Sequence, residues 1–308
     1  MRLRHLEKGD GFFHALLFRF ISMVSGMRLP DAARIVMYHE DFYGKPMAAW
    51  TQAAMRGESG WSVGERELFA AMTAKWNSCT FCIRAHSAIA SLVLDKTLVE
   101  AALEDFRQAK LPPRLQTILV FLEIFAKTPD ELTAEHALAV LHSGITRQEL
   151  EDAMAVVTLF SITVRLADTF NFAIPGDSDF SRAAPRMLSQ GYVFGKSKIN
   201  GHPDHRALAE VLCKRVLEGP GITDIVLRQA IAKRATGGPS TGEATYDDLA
   251  LQIGHAAYKV TDEQVKKVVE KTGNEKAAFE LIVAAAVGAG FYHWHKGLGI
   301  MEEATGAE

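Results

Sequence analysis

Apolar residues recur every three to four positions along most of the chain. In residues 64–76, read as GERELFAAMTAKW, this spacing brings Leu68, Phe69, Met72 and Trp76 to one face of a helix. Alternating apolar and polar runs, which would indicate half-buried strands, are absent from the sequence. The pattern therefore predicts an all-α fold.

The same period predicts further helices in the first half of the chain. Most of them begin at Thr, Ser or Pro, which cap the N terminus of a helix or are tolerated in its first turn. The predicted ranges are 78–93, 97–108, 113–125, 133–141 and 146–172.

The helical pattern is interrupted after Pro175 and resumes near Ala207. The stretch between them, which ends GKSKINGHPDHR, has little period and several Gly, Ser, Asp and Pro residues, so we expect a linker there. A second glycine-rich break, at 236–245, is expected to be a loop. The sequence thus predicts four regions: an N-terminal helical extension at 1–34, a catalytic helical domain at 35–180, a linker at 181–205 and a second helical unit at 206–308.

The second unit repeats the order of elements of the first. Residues 125–160 and 256–287 each contain a helix that starts at Thr, then a glycine, then a long apolar helix that includes Glu151 or Glu280. Only the first copy is accompanied by two cysteines three positions apart. We expect the second unit to be a degenerate duplicate that lacks this chemistry.

An apolar stretch near the N terminus, residues 12–27, is interrupted by His14 and Arg19. It is shorter than the ~20 residues of a membrane span. Residues 1–10 carry both charge signs and have no clear cleavage site, which argues against a signal peptide. We expect a peripheral helix and no membrane span.

Composition mainly excludes classes of function. With 48% apolar and 23% charged residues over 308 positions, the chain is typical of globular proteins. A formal net charge of −3 gives no electrostatic case for nucleic acid or an anionic membrane as a partner. Three cysteines are too few, and odd in number, for a secreted disulfide framework. We therefore expect a cytoplasmic location, with Cys213 as a small core residue.

Cys79 and Cys82 lie in the stretch WNSCTFCIRAH, with His86 four residues after the second cysteine. A c-type haem attachment needs a histidine directly after the second cysteine, where this chain has Ile83, so haem is excluded. A thioredoxin-type site needs strands that the sequence lacks. Zinc remains open, because these three residues and Glu67 could supply four ligands, although structural zinc sites commonly use a second cysteine pair.

Helical geometry places the two cysteines and the histidine together. At about 100° per residue, positions 79, 82 and 86 fall within roughly 60° of one another. Ser78 is expected to cap this helix, which puts both cysteines in the first turn, where unpaired N–H groups and the helix dipole favour thiolate. His86, one turn after Cys82, can accept and return the proton of its thiol.

A carboxylate is expected to complete this set. Glu67 lies twelve residues before Cys79, on the preceding predicted helix, among apolar neighbours. Such surroundings predict a raised pKa and an acid/base role for Glu67. Glu65 and Glu58 are alternatives that this argument leaves open.

Residues 65–90, read as ERELFAAMTAKWNSCTFCIRAHSAIA, resemble the core of the AhpD-like alkylhydroperoxidase group, within the carboxymuconolactone decarboxylase superfamily. The signature of that group is Glu, about a dozen residues, and then Cys-x-x-Cys-x-x-x-His. Glu67, Cys79, Cys82 and His86 match it, and the REL setting favours Glu67 over the neighbouring glutamates. The second unit looks like the latter half of the same superfamily's helical unit.

The resemblance, which covers roughly residues 35–175, implies a homo-oligomeric helical peroxidase. In that scheme Cys82 attacks a hydroperoxide and becomes a sulfenic acid, Cys79 condenses with it to form a disulfide, and His86 and Glu67 relay protons. No bound cofactor is expected. An external dithiol, such as a lipoyl or thioredoxin-like protein, would restore the thiols.

Two other functions are compatible with the sequence. The namesake lyase chemistry of the superfamily is one, although that branch generally works without the cysteine pair. A non-enzymatic, redox-responsive oligomeric scaffold is the other. Some members of the AhpD-like group also carry a histidine between the two cysteines. This chain has Thr80 and Phe81 there, so it lacks that part of the proton relay.

Overall fold

The computed structural model describes residues 1–9, 12–25, 28–193 and 201–306. Over these ranges the regular elements are helices and there is no strand, which confirms the all-α fold class. A π-helical turn occupies Glu40–Gly44, and short 3-10 helices lie at Pro129–Glu131 and Ala257–Lys259. The α-helices are α1 (Arg4–Lys8), α2 (Phe12–Ser25), α3 (Asp31–Tyr38), α4 (Lys45–Arg56), α5 (Val63–Trp76), α6 (Thr80–Ala90), α7 (Lys96–Asp105), α8 (Pro113–Lys127), α9 (Ala134–His142), α10 (Arg147–Thr169), α11 (Asp177–Gln190), α12 (His205–Leu217), α13 (Ile225–Arg234), α14 (Ala244–Ala256), α15 (Asp262–Thr272) and α16 (Glu275–Gly306).

Three helices begin at residues that cap an N terminus or are tolerated in the first helical turn. The Ser62 hydroxyl accepts from the Glu65 amide while the Glu65 carboxylate accepts from the Ser62 amide, a capping box that begins α5. Thr261 and Gln264 form the same arrangement at α15. Pro113 occupies the first position of α8, where its missing N–H costs no helical hydrogen bond.

Contacts between Cα atoms divide the chain into two units, each assembled from several segments. One unit comprises Met1–Ala49, Ile162–Pro175 and Ala207–Ala289. The other, which holds the cysteine pair, comprises Trp50–Ser161, Gly176–Arg206 and Gly290–Glu308. We call them the N-terminal unit and the cysteine unit. Each unit contains segments from more than one of the four regions expected from the sequence. The boundaries of those regions stay a prediction.

Helix α5 forms the centre of the cysteine unit, where it packs against α6, α7 and α8. Nine consecutive residues, 66–74, are buried. The buried surface of this helix extends beyond the face that carries Leu68, Phe69 and Met72, because neighbours surround it. A central helix is apolar nearly all round. The polar residues Arg66 and Glu67 of α5 are buried with hydrogen-bond partners.

The long helix α16 supplies core residues to the N-terminal unit. Within that unit the Phe279 ring lies 5.0 Å from Tyr38, 6.4 Å from Tyr43 and 5.5 Å from Phe170. By length and hydropathy, α16 is the one helix among the described residues that is long and apolar enough to cross a membrane. Since 89% of its apolar window is buried in the protein, it has the burial of a core helix.

The structure differs from the sequence-based expectation at the linker. Residues 177–190 form helix α11, although the linker was expected to begin at 181, and residues 194–200 lie outside the described residues. Only Phe180 and Ala184 of α11 are buried, and Pro185 interrupts its interior. Two buried positions give too little period for the sequence to reveal a helix.

The predicted N-terminal helix at 12–27 corresponds to α2; residues 26 and 27 lie outside the described residues. Leu16, Phe20 and Met23 are more than half exposed, whereas Phe18 is buried. This burial is that of a helix at the periphery, as expected.

The internal repeat is preserved in the positions of its elements. Thr133 and Thr261 directly precede α9 and α15, and the following long helices begin at the same spacing from these threonines. The sixth residue of each long helix is a buried carboxylate, Asp152 in α10 and Glu280 in α16. The residue of α10 that corresponds in position to Glu280 is therefore Asp152, the neighbour of Glu151.

Candidate active site

The turn between α5 and α6 brings Glu67 against His86. Asn77 ends α5, and Ser78 has a left-handed backbone with φ of 63°, so the chain reverses direction there. The two antiparallel helices then place Glu67 Oε2 2.7 Å from His86 Nδ1. Both side chains are buried.

The N terminus of α6 differs from the expectation in its capping residue. Ser78 belongs to the turn, and Cys79 occupies the N-cap position of α6. Cys82 is therefore the third helical residue. It remains in the first turn, where unpaired backbone N–H groups stabilise negative charge.

Both cysteines are closed off from solvent. Cys79 is 0% exposed and Cys82 1% exposed, and both are thiols without a disulfide. His86 is one helical turn after Cys82, so their side chains are neighbours on one face of α6. The matching residues of the signature are thus brought together by two consecutive helices.

Two residues that the sequence did not point to complete the surroundings of Glu67. Arg56, the last residue of α4, donates from Nη2 to Glu67 Oε1 at 2.8 Å. Tyr192, two residues after α11, lies with Oη 3.0 Å from both carboxylate oxygens and 3.3 Å from His86 Nδ1. Its ring stacks on His86 with centroids 6.2 Å apart, and Phe160 meets His86 edge-on at 4.4 Å. Tyr192 lies in the expected linker, where no periodic pattern marks it.

The pKa of Glu67 is shifted in the direction opposite to the prediction. Burial alone would raise it, but the hydrogen bond and charge of His86 and the charge of Arg56 outweigh burial, and the pKa is lowered from 4.5. Burial and the negative charge of Glu67 raise the pKa of Tyr192 well above its ordinary value. At neutral pH the carboxylate is therefore ionised and the phenol is a hydrogen-bond donor.

An ionised Glu67 determines which nitrogen of His86 carries the proton. The carboxylate can only accept, so Nδ1 of His86 must donate to it. In a neutral imidazole, Nε2 then has the lone pair on the opposite side of the ring. This arrangement gives His86 an acceptor that can take a proton from a group on the same helix face, such as the Cys82 thiol.

The alternative glutamates lie elsewhere. Glu65 is engaged in the capping box with Ser62, and Glu58 is exposed. Cys213, expected in the core, is half-buried in α12, and burial raises the pKa of its thiol to about 11. Such a thiol is unreactive at neutral pH.

The part of the chain that the structure describes contains one group of His, Cys, Asp or Glu side chains compact enough to hold a metal. It consists of Asp152, His202 and His205 and does not include the cysteines. Asp152 Oδ1 lies 2.7 Å from His202 Nε2 and 3.2 Å from His205 Nε2. Sequence reasoning missed these histidines, which end the expected linker.

The protonation of His205 does not fit a metal site. The buried indole of Trp50 donates from Nε1 to His205 Nδ1 at 3.2 Å. A neutral His205 must then carry its proton on Nε2 and donate it to Asp152, so Nε2 has no lone pair for a metal ion. The Ser59 hydroxyl donates to Asp152 Oδ2 at 2.5 Å. The group is a hydrogen-bonded network that ties residues 202–205 to α10.

The N-terminal unit contains a buried carboxylate in the equivalent position. Glu280 lies 3.1 Å from His39 Nε2 and accepts from the backbone amide and hydroxyl of Thr223 at 2.8 and 2.5 Å. Burial raises the pKa of Glu280, but these hydrogen bonds outweigh burial and lower it to about 2. The sequence of the N-terminal unit has no cysteine pair, so no dithiol accompanies the contact between Glu280 and His39.

Comparisons with known proteins give distant likenesses only. No family model matches the chain, and no curated protein matches it. A solved structure described as the alkylhydroperoxidase AhpD core of an uncharacterized peroxidase-related protein from Ralstonia eutropha JMP134 is 22% identical, with a TM-score of 0.46. The match covers 54% of this chain and 86% of that one. An uncharacterized peroxidase-related protein from Silicibacter sp. TM1040 is 23% identical over 54% of this chain and 85% of its own, with a TM-score of 0.48. Likenesses of this strength do not assign a function.

Proposed function

We propose that the chain is an AhpD-like thiol peroxidase or disulfide reductase that uses Cys82 and Cys79 as its redox pair. The observation that carries the proposal is the 2.7 Å contact between buried Glu67 and His86 Nδ1, one helical turn from Cys82. A histidine held in this way is suited to activating a thiol. The match to the signature of the AhpD-like group supports the same assignment.

The proposed reaction begins with transfer of the Cys82 proton to His86 Nε2. The thiolate attacks one peroxide oxygen, the S–O bond forms as the O–O bond breaks, and the departing alkoxide takes the proton from His86. The products are an alcohol and the sulfenic acid of Cys82. The Cys79 thiol then displaces water from that sulfenic acid, which leaves a disulfide between the two cysteines.

An external dithiol would complete the cycle. Its two thiols reduce the Cys79–Cys82 disulfide by thiol–disulfide exchange and leave as a disulfide themselves. The proposal therefore needs a dithiol donor, such as a lipoyl or thioredoxin-like protein, and no bound cofactor. A homo-oligomeric assembly and a cytoplasmic location belong to the same proposal.

The test is a single-turnover thiol count. Reduced protein is mixed with one equivalent of cumene hydroperoxide, denatured and titrated for thiols. We expect two of the three thiols to be lost, with a Cys79–Cys82 disulfide in the peptide map. An unchanged thiol count would refute the proposal.

Single cysteine variants separate the roles. C82S should abolish the reaction, because it removes the attacking sulfur. C79S should consume one equivalent and stop at a sulfenic acid that dimedone traps. C213S is the control and should behave as the wild type; a C213S protein that fails to react would contradict the assignment.

The burial of both thiols favours a second candidate, a redox-responsive scaffold. In that case oxidation would be slow and stoichiometric. Catalytic turnover would then be absent with every dithiol donor tested, including dihydrolipoamide and reduced thioredoxin.

A further inference from the structure

The cysteine pair is covered by a segment of its own unit. Cys79 and Cys82 are 0% and 1% exposed, and helix α11 packs directly against the helix α6 that carries Cys82. A peroxide oxygen must touch the Cys82 sulfur to react, and a dithiol donor must reach one sulfur of the resulting disulfide. The arrangement described is therefore closed to both reactants.

The first half of α11 packs on α6 through an aromatic pair, a cation–π contact and an ion pair. The Phe180 ring meets Phe81, the residue before Cys82, edge-on at 5.7 Å. The Arg84 guanidinium lies 5.6 Å from the centre of the Phe180 ring, and Arg84 Nε donates to Asp177 Oδ1 at 3.0 Å. These contacts hold α11 over the turn of α6 that bears Cys82.

The end of the same segment contributes to the Glu67 network. Arg56 donates from Nη2 to the backbone oxygen of Met187 at 2.8 Å, and the Tyr192 amide donates to Gln52 Oε1 at 2.6 Å. The Tyr192 hydroxyl then lies within 3.0 Å of both Glu67 oxygens. The segment that covers the thiols is thus also the one that brings the last hydrogen-bond donor to the carboxylate.

We propose that residues 177–192 form a movable cover, which closes over Cys82 and docks Tyr192 on Glu67, and which must withdraw for reactants to enter. The inference deepens the proposed peroxidase function and rests on it for the identity of the reactants. In the closed state the Glu67–His86 pair is complete and water is excluded. In the open state Cys82 is accessible and Glu67 has lost one of its donors.

Few buried apolar residues hold the helical part of this cover, α11, in place. Phe180 and Ala184 are the only buried residues of α11. Pro185 lacks an N–H group, so one hydrogen bond inside the helix is missing. The Asp177 side chain is 85% exposed, and surface ion pairs contribute little to stability. Segments with so few buried apolar contacts open locally without global unfolding.

Alkylation of the cysteines measures the opening directly. Reduced full-length protein is treated with iodoacetamide, and the modification of each cysteine is followed by peptide mass spectrometry, with the urea-unfolded chain as reference. We expect Cys82 in the native protein to react at least about a hundredfold more slowly than in the unfolded chain, since reaction requires opening.

Variants of the cover should change this rate in a defined order. F180A removes the aromatic contact and should accelerate alkylation of Cys82 at least about tenfold. D177N, which removes the ion pair to Arg84, should accelerate it by about two- to fivefold. The matched control is D179N, whose carboxylate pairs with Arg182 on the same helix at 2.6 Å, and it should leave the rate unchanged.

Cys213, which lies in the other unit, is an internal control for unfolding. If F180A accelerates the alkylation of Cys213 as much as that of Cys82, that variant unfolds globally. The comparison of D177N with D179N then tests the cover. The proposal would be overturned if native Cys82 were alkylated at the rate of the unfolded chain. It would also be overturned if Cys82 were alkylated no faster in D177N than in D179N. Because no peroxide is used, a chain that is alkylated as expected but fails the thiol count with cumene hydroperoxide would refute the peroxidase function and not the cover.

Discussion

Replacement of Glu67 by glutamine should inactivate the site while keeping its shape. Glu67 accepts from Arg56 at 2.8 Å, from His86 at 2.7 Å and from Tyr192 at 3.0 Å. A glutamine has one oxygen and one NH2 group, so in either orientation its NH2 faces a donor, Arg56 or His86. When it faces His86, Nδ1 must become the acceptor, and Nε2 then carries the proton and cannot receive one from Cys82.

The size of both effects follows from these contacts. Leaving one buried donor unpaired costs about 1–3 kcal/mol, and disrupting a buried ion pair costs up to about 5 kcal/mol. Since glutamine keeps part of the network, we expect E67Q to lose about 2–4 kcal/mol of unfolding free energy. Loss of the general base should slow oxidation of Cys82 by about 10²–10⁴-fold.

Urea unfolding and quenched-flow thiol titration with cumene hydroperoxide measure the two quantities. The matched control is E65Q, on the same helix, where glutamine can still form the capping box with Ser62. E65Q should change stability by less than about 0.5 kcal/mol and leave the rate unchanged. If E67Q were oxidised within about threefold of the wild-type rate, His86 could not be the general base for Cys82.

Three further variants extend the account. Y192F keeps the ring that stacks on His86 but removes a donor to Glu67, so oxidation should slow by about three- to tenfold at a stability cost of about 1 kcal/mol, whereas Y258F, at an exposed tyrosine, should change neither. G191A places a Cβ against the Gln52 side chain at a φ of 74°, and should lower the urea midpoint by an amount equivalent to at least about 1 kcal/mol. Because the folded pKa of Glu280, about 2, lies below its unfolded value of 4.5, its contribution of about 3 kcal/mol is present above pH 4.5 and is lost as pH falls towards 2. E280Q should flatten the fall in urea stability over that interval, and an unchanged pH slope would contradict the assignment.

Local geometry explains why much of the site could be predicted from the sequence. Cys79, Cys82 and His86 lie within one helix start, and Glu67 lies on the helix before it, so period and a short turn suffice to bring them together. The all-α class follows from the same period. Four positions are thus determined by contacts between residues at most nineteen apart.

Features that depend on distant parts of the chain could not be predicted. Tyr192 reaches Glu67 across 125 residues, from a stretch whose composition indicated a linker. Arg56 likewise comes from another helix, and together with His86 it lowers the pKa of Glu67, which apolar neighbours alone were expected to raise. The left-handed backbone of Ser78 also escaped prediction, since serine rarely adopts it.

Reduction of a hydroperoxide by Cys82, with help from the Glu67–His86 pair, is the step on which the proposed function depends. The most direct measurement is the amount of cumyl alcohol formed when fully reduced protein meets an excess of cumene hydroperoxide without any donor. We expect one alcohol per chain for the wild type, formed together with the Cys79–Cys82 disulfide, and none for C82S. No alcohol from the wild type, or an equal amount from C82S, would contradict it.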